Sequence, residues 1–273
     1  QAEVLDLNHD SQFVPNSVVT GPDSVEVTAG SAIVLVTAGA KQKPGQSRLD
    51  LAATNVAMAQ TLTPQLLEHS PDAVIIFVTN PVDLVTYAAA TSVDVAAGRI
   101  FGSGTVLDSS RFRYLIGRRA AVDVGNVHGF IIGEHGDSEI PLWSSVSIGG
   151  VPAAEWRAGG VAIFDEATRS AISEGVVNAA YEIIEGKGAT SLAIGLSSAR
   201  IIEAVLGDQH RVMPISSVQR GAYQLDGVAL SLPTVVSATG AGDVLEVPMA
   251  VNELLGLQGS ARTLREAADS LNI

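Results

Sequence analysis

Residues 73–81 read AVIIFVTNP, a short apolar run that ends abruptly in polar residues and a proline. Apolar runs of this length are typical of strands that are buried on both faces of a parallel sheet. Two further runs, SAIVLVT at residues 31–37 and RIF at residues 99–101, have the same character. Apolar residues at helical spacing lie between them, from about Arg48 to His69 and from Leu84 to Ala97. This alternation predicts an α/β fold with a doubly wound parallel sheet.

The predicted strands share a feature at their carboxyl ends. Each is followed by small or polar residues, namely Thr37-Ala38-Gly39, Thr79-Asn80-Pro81 and Gly102-Ser103-Gly104. Ligands of doubly wound sheets bind at the carboxyl ends of the strands. We therefore expect the functional site at this edge of the sheet.

The pattern changes after about residue 104. The elements predicted there are helices at 108–118, 158–184 and 191–206, antiparallel strands at 212–218, 228–237 and 244–247, and a closing helix at 251–271. We therefore predict two domains: residues 1–104 with the parallel sheet, and residues 105–273 as a separate α+β domain.

Composition excludes several classes of function. The chain has 273 residues, a net charge of −13 and no cysteine. The negative charge and the lack of a basic run argue against nucleic acid as a partner. The lack of cysteine excludes disulfides and thiolate metal sites. No apolar run is long enough to span a membrane.

Residues 127–138 read VHGFIIGEHGDS and contain the strongest candidate for chemistry. They predict an apolar strand that breaks at Gly133 and presents His135 at its end. Glycine permits backbone angles that other residues resist, so the break can aim a side chain into a cleft. Histidine has the side-chain pKa nearest to neutral pH and therefore suits proton transfer.

Three charged residues elsewhere are candidate partners for His135. Asp108 and Arg111 lie at the start of a predicted helix, three residues apart and therefore on one face. A carboxylate beside a histidine fixes its tautomer and stabilises its charged form. Arg111 suits a substrate carboxylate, and Arg48, on a loop, suits a carbonyl. The residues alone are equally compatible with surface ion pairs.

Other motifs give weaker evidence for nucleotide binding, metal binding or hydrolysis. Residues 102–107 and 240–245 each contain a G-x-G pattern, but both lack the third glycine of a dinucleotide fingerprint. The histidines and acids between His128 and Asp137 match no common ligand spacing, so we predict no metal. The G-x-S-x-G elbow of serine hydrolases does not occur.

The motifs together resemble the L-lactate dehydrogenases of the lactate/malate dehydrogenase superfamily. The similar stretches, which follow the family's order along the whole chain, are AEVLDLNH (2–9), VTAGAKQKPGQSRLDL (36–51), VTNPVD (78–83), IFGSGTVLDSSRFR (100–113), GEHGDSEIPLWS (133–144), KGAT (187–190) and SLP (231–233). The resemblance implies a Rossmann-type NAD-binding domain, a C-terminal α+β substrate domain, and interconversion of pyruvate and L-lactate in cytoplasmic glycolysis and fermentation. It also implies a homotetramer.

The resemblance assigns roles residue by residue. His135 would be the acid–base group, Asp108 would orient it, and Arg48 would polarise the substrate carbonyl from a loop that closes over the site and excludes water. Arg111 would hold the substrate carboxylate. The remaining contacts implied are Asn80 and Thr190 to substrate, and Gly39, Ala40, Val78, Thr79, Asn80 and Ser103 to NAD.

Gln42 is the residue on which substrate choice depends. The matching position of malate dehydrogenases is an arginine that pairs with the second carboxylate of oxaloacetate. A neutral glutamine suits the methyl group of pyruvate instead. This favours lactate dehydrogenase over a malate or other 2-hydroxy-acid dehydrogenase, which remains the alternative.

His128 and Arg113 have a further implied role. In many bacterial members of the family, a matching histidine and arginine hold fructose 1,6-bisphosphate across a subunit interface. Structural roles for a strand histidine and a helix arginine are the alternative. We expect an allosteric activator site here.

The chain departs from the family in one respect. The family's first strand, G-x-G-x-x-G turn, helix and second strand are absent from the sequence. The resemblance therefore implies an incomplete Rossmann-type sheet whose first βαβ unit is missing. We expect this chain by itself to bind NAD poorly or not at all, which calorimetric titration with NADH would measure; micromolar affinity would contradict the expectation. A non-catalytic fragment is therefore a second alternative, which the intact His135, Asp108, Arg48 and Arg111 oppose.

Overall fold

The computed structural model describes residues 1–9, 13, 17–40, 48–188 and 190–273. Its α-helices are α1 (Ala2–His9), α2 (Arg48–His69), α3 (Val82–Thr91), α4 (Val106–Ala120), α5 (Glu166–Lys187), α6 (Leu192–Leu206) and α7 (Val251–Ser270). The longer strands are β1 (Ile33–Val36), β2 (Val74–Phe77), β3 (Ile100–Gly102), β11 (Arg211–Arg220), β12 (Asp226–Ser237) and β13 (Gly240–Val244). The strands of two residues are β4 (Val127–His128), β5 (Ile131–Ile132), β6 (Ile140–Pro141), β7 (Ser147–Ile148), β8 (Val151–Pro152), β9 (Arg157–Ala158) and β10 (Val161–Ala162).

The longer strands form one six-stranded sheet in the order β1-β2-β3-β11-β12-β13. Strands β1, β2 and β3 are parallel, and α2 and α3 connect them, which confirms the predicted parallel α/β arrangement. Their carboxyl ends therefore meet at one edge. Every residue of β2 is buried, as its continuous apolar run predicts, whereas β1 is mostly half-buried.

The sheet continues across the predicted domain boundary. Strand β11 pairs antiparallel with β3, with Ser216 opposite Gly102. One hydrophobic core contains Phe77 from the first half and both Leu230 and Leu264 from the second. The division after residue 104 stays a prediction, while the sheet and this core belong to both parts of the chain.

Two predicted helices are shorter than expected. The helix expected at 84–97 is α3, which begins at Val82 and ends at Thr91. The helix expected from Ala158 is α5, which begins only at Glu166 because Asp165 caps it by accepting the Thr168 N–H at 2.9 Å. The preceding residues form the β9–β10 hairpin, whose turn uses two glycines at positive φ, Gly159 and Gly160.

Two predicted strands also differ. The strand expected at 127–132 is interrupted: β4 pairs with β7, and β5 pairs with β6, in separate small sheets. Gly129 lies at the break, where a Cβ would come within 3.1 Å of Val146 Cγ2. The strand expected at 244–247 is β13, displaced to 240–244 because Gly240 pairs with Ser237 directly across a tight turn.

The turn that carries His135 lies between β5 and β6 and is anchored to β12. Gly133 and Ser231 exchange two backbone hydrogen bonds of 2.9 Å each. Gly133 has φ +86°, and a Cβ there would lie 2.6 Å from Ile140 Cδ1 and 2.8 Å from Ser260 Oγ on α7. Glycine is therefore required at this position both by the backbone angle and by the close approach of α7.

In the described part of the chain, the helices are too short or too polar to cross a membrane.

Alanine substitution at Gly133 separates these two requirements. Gly150 has the same φ of +86°, but a Cβ there would meet nothing within 4 Å. We predict that Gly133→Ala lowers the free energy of unfolding by about 1–3 kcal/mol more than Gly150→Ala, because only Gly133 adds an overlap to the backbone strain. Chemical denaturation of both variants measures the difference. Equal losses would show that packing against Ile140 and Ser260 imposes no constraint.

Candidate active site

The centre of the candidate site is a carboxylate–imidazole pair. Asp108 lies in the first turn of α4 and is 2% exposed. Its Oδ2 lies 2.6 Å from His135 Nδ1, and its Oδ1 accepts a hydrogen bond of 2.8 Å from Arg111 Nη1. The His135 side chain is 26% exposed, so the ring is held from within and still reaches the surface. Three of the four residues predicted to act together, His135, Asp108 and Arg111, are therefore adjacent.

Electrostatics make this pair ionic. Burial would lower the pKa of His135, but the charge and hydrogen bond of Asp108 outweigh burial and raise that pKa to about 9. Burial would raise the pKa of Asp108, but His135 and Arg111 hold that pKa below its usual value. At neutral pH the imidazole therefore carries a proton beside an ionised carboxylate.

Asp83 is a second carboxylate that the sequence did not reveal. It lies in the first turn of α3 and is 2% exposed. Its Oδ2 accepts the backbone N–H of His135 at 2.7 Å, and its Oδ1 accepts the Ser216 hydroxyl at 2.5 Å. Burial raises the pKa of Asp83 to about 6, although both hydrogen bonds oppose the rise. An acid at a helix start is common, so its sequence position carries no signal.

Glu139 adds a third acid near the pair. Burial and the charge of Asp108 raise the pKa of Glu139, against the opposing charges of His135 and Arg111. Ligand atoms of Asp108, His135 and Glu139 lie within 4.8 Å of one another, a spacing that a metal ion can bridge. His135 and Asp108 already bond to each other, however, and Arg111 adds positive charge. A proton-transfer pair describes the cluster better, and the absence of a metal stays a prediction.

Several of the predicted cofactor contacts follow the carboxyl ends of β1 and β2. Asn55 of α2 joins these two segments: its Oδ1 accepts the Ala40 N–H at 2.8 Å, and its Nδ2 donates to the Asn80 carbonyl at 2.7 Å. The Thr79 hydroxyl donates to the Ala38 carbonyl at 2.5 Å. Asn55 is 2% exposed and lies on the apolar face of α2. A buried polar residue needs hydrogen-bond partners, so a polar residue on this face was the sequence signal that could have revealed Asn55.

The segments that follow β1 and β2 approach each other closely. Gly39 packs so closely that a Cβ would lie 2.5 Å from Thr79 Cγ2. Residues 37–40 are exposed, while Ser103 beyond β3 is 4% exposed and Val78 is half-buried. Small side chains and backbone polar groups thus line an open strand edge, which is how doubly wound sheets receive dinucleotides.

The remaining predicted site residues lie outside this cluster or outside the described residues. Arg48 begins α2, but its side chain lies outside the described residues, as does all of Gln42. Asn80 is exposed beyond β2 and precedes Pro81 through a cis peptide bond. Thr190 is half-buried in the connection between α5 and α6.

Two cavities of the described residues lie away from His135. One of about 710 Å³ lies near the amino end of β3, with Gly98, Gln219 and Asp243 in its lining. Cavity size alone therefore does not mark the candidate site, which is identified by its titrating groups.

Comparison with known proteins agrees with this geometry. Residues 1–102 match the family model for the lactate/malate dehydrogenase NAD binding domain, and residues 105–272 match that for the alpha/beta C-terminal domain. An L-lactate dehydrogenase of Bifidobacterium animalis subsp. lactis is 46% identical over 269 residues, 98% of this chain and 84% of that protein. One of a Synechococcus species is 46% identical over 275 residues, 99% of this chain and 87% of that protein.

A solved structure extends the match to three dimensions. The minor L-lactate dehydrogenase of Enterococcus mundtii, in its ligands-bound form, superimposes with a TM-score of 0.94 at 33% identity, covering 99% of this chain and 86% of that one. With both family models matched over nearly all of its length, this chain belongs to the lactate/malate dehydrogenase family.

Proposed function

We propose that the protein is an NAD-dependent L-lactate dehydrogenase, which interconverts pyruvate and NADH with L-lactate and NAD. The observation that carries the proposal is the ionic pair of His135 and Asp108, with Arg111 on the same carboxylate. The names of the relatives at 46% identity support the same activity. The matched NAD binding domain supports the cofactor.

His135 serves as the acid and base. Its Nδ1 is bonded to Asp108, which leaves Nε2 as the ring nitrogen for substrate. With a raised pKa, the ring donates a proton to the ketone oxygen during pyruvate reduction, and it takes the proton back from the hydroxyl during lactate oxidation. The nicotinamide, when bound, supplies and accepts the hydride.

The arginines position and polarise the keto acid. Arg111 has five N–H donors, of which one contacts Asp108, so its planar fork can also grip the substrate carboxylate. Arg48 polarises the carbonyl in the transition state. Asn80 hydrogen-bonds substrate and Thr190 shapes the pocket.

The proposed contacts to NAD lie at the strand ends described above: Gly39, Ala40, Val78, Thr79, Asn80 and Ser103. Asn55 joins the segments after β1 and β2, holds them together and is the residue we add to the set.

The role of His135 is tested by the pH dependence of pyruvate reduction in the full-length protein. We predict that kcat/KM falls as pH rises through about 9, because the ring then loses its proton. Asp108→Asn removes the charge that raises this pKa, so the midpoint moves to lower pH. His135→Gln lowers kcat/KM about 10²- to 10⁴-fold. Glu203→Gln, which removes a surface carboxylate on α6, is the control and leaves the profile unchanged. An unmoved midpoint in Asp108→Asn would refute the proposed pair.

Substrate choice is tested at Gln42. We predict that Gln42→Arg shifts the ratio of kcat/KM values from pyruvate towards oxaloacetate by about tenfold or more, because the new guanidinium can pair with the second carboxylate. Gln46→Arg places the same charge four residues farther along the chain and serves as the matched control. If the two variants give the same ratio as the parent, Gln42 does not determine specificity.

We further propose that Arg113 and His128 hold fructose 1,6-bisphosphate. His128 is exposed on β4, while Arg113 Nε donates to the Gly129 carbonyl at 2.8 Å and its guanidinium lies 5.2 Å from the Phe130 ring centroid. The bisphosphate should steepen or shift the pyruvate saturation curve, and an unchanged curve would oppose the proposal.

A cytoplasmic homotetramer is the assembly that the resemblance favours. Light scattering of the purified protein tests it.

A further inference from the structure

Ser260 connects the C-terminal helix to the turn that carries His135. It lies on α7 and is 1% exposed. Its Oγ accepts the backbone N–H of Glu134 at 2.8 Å and lies 3.0 Å from Ser138 Oγ. Ser138 in turn contacts Oε2 of Glu134. The three residues therefore form a closed ring of hydrogen bonds that begins and ends at Glu134.

The geometry of the hydroxyl groups gives this ring its direction. Ser138 Oγ donates to Glu134 Oε2, and it is also the donor in its contact of 3.0 Å with Ser260 Oγ. A serine hydroxyl has one proton to donate, so Ser138 shares that proton between the two acceptors. Ser260 Oγ thus accepts from both Ser138 and the Glu134 N–H.

The ring completes the support of the turn. Three consecutive N–H groups are held by three different elements: that of Gly133 by Ser231 on β12, that of Glu134 by Ser260 on α7, and that of His135 by Asp83 on α3. The imidazole itself is held by a fourth element, α4. Each peptide that sets the direction of the His135 side chain thus has its own anchor.

We propose that Ser260 is a positioning residue for pyruvate reduction, because its hydroxyl closes the Glu134–Ser138–Ser260 ring and thereby fixes the angle at which His135 meets substrate. Ser260 does not touch the reacting atoms. The proposal rests on the proposed role of His135 as acid and base.

A double-mutant cycle in the full-length protein tests the ring. We expect Ser260→Ala and Ser138→Ala each to lower kcat for pyruvate reduction about tenfold to a hundredfold, since small misplacements of a reacting group cost this much. KM for pyruvate should change less than about twofold, because Arg111 on α4 is untouched. The double variant should be no slower than the slower single variant, because either substitution opens the same ring.

Further variants separate positioning from stability. Ser260→Cys keeps a weaker hydrogen-bonding group of similar size and should recover part of kcat; it also replaces Ser260→Ala if that variant does not fold. Ser270→Ala is the control on the same helix, because its hydroxyl bonds to the Ala267 carbonyl at 2.7 Å. It should leave kcat unchanged.

The outcomes are distinguishable. A lowered melting temperature with unchanged kcat in Ser260→Ala, or losses that multiply in the double variant, would overturn the proposal. If the parent protein does not oxidise NADH with pyruvate, or if His135→Gln is as active as the parent, the proposed function fails instead.

Discussion

The hydrogen bond of 2.6 Å between Asp108 Oδ2 and His135 Nδ1 is the interaction on which the site depends. It joins the first turn of a helix to a turn between two short strands. The carboxylate lies near the amino end of α4, where the helix dipole favours negative charge. It raises the pKa of the imidazole. The proposed proton donation at neutral pH rests on this one contact.

The surrounding fold keeps that contact in place. The turn from Gly133 to His135 is bonded to β12, α7 and α3, while the ring is bonded to α4. Asp83 and Glu139 add negative charge that raises the pKa of His135 further. Burying these acids costs stability, because desolvation disfavours their charged forms. The acids around His135 therefore keep the ring protonated at the expense of folding stability.

The sequence predicted the parallel sheet because its signals are local: the apolar runs of β1, β2 and β3 and the helical spacing of α2 need no knowledge of distant residues. It also predicted Asp108 and Arg111 as partners of His135. Both lie at the start of one predicted helix, three residues apart, and the family resemblance assigns both of them roles beside His135. It did not predict Asp83, Ser216 or Ser260, since an acid at a helix start and two serines acquire meaning only when distant segments meet. The early start expected for α5 failed because a glycine hairpin and an Asp165 cap outweighed the helical pattern.

The most direct measurement is the titration of the His135 imidazole by NMR in the full-length protein with ¹⁵N-labelled histidine and no substrate. The resonance is assigned by its loss in His135→Gln. An imidazolium stabilised by Asp108 titrates with a midpoint near 9. A midpoint at or below the ordinary histidine value of about 6.5 would contradict the ionic pair and the proton donor built on it.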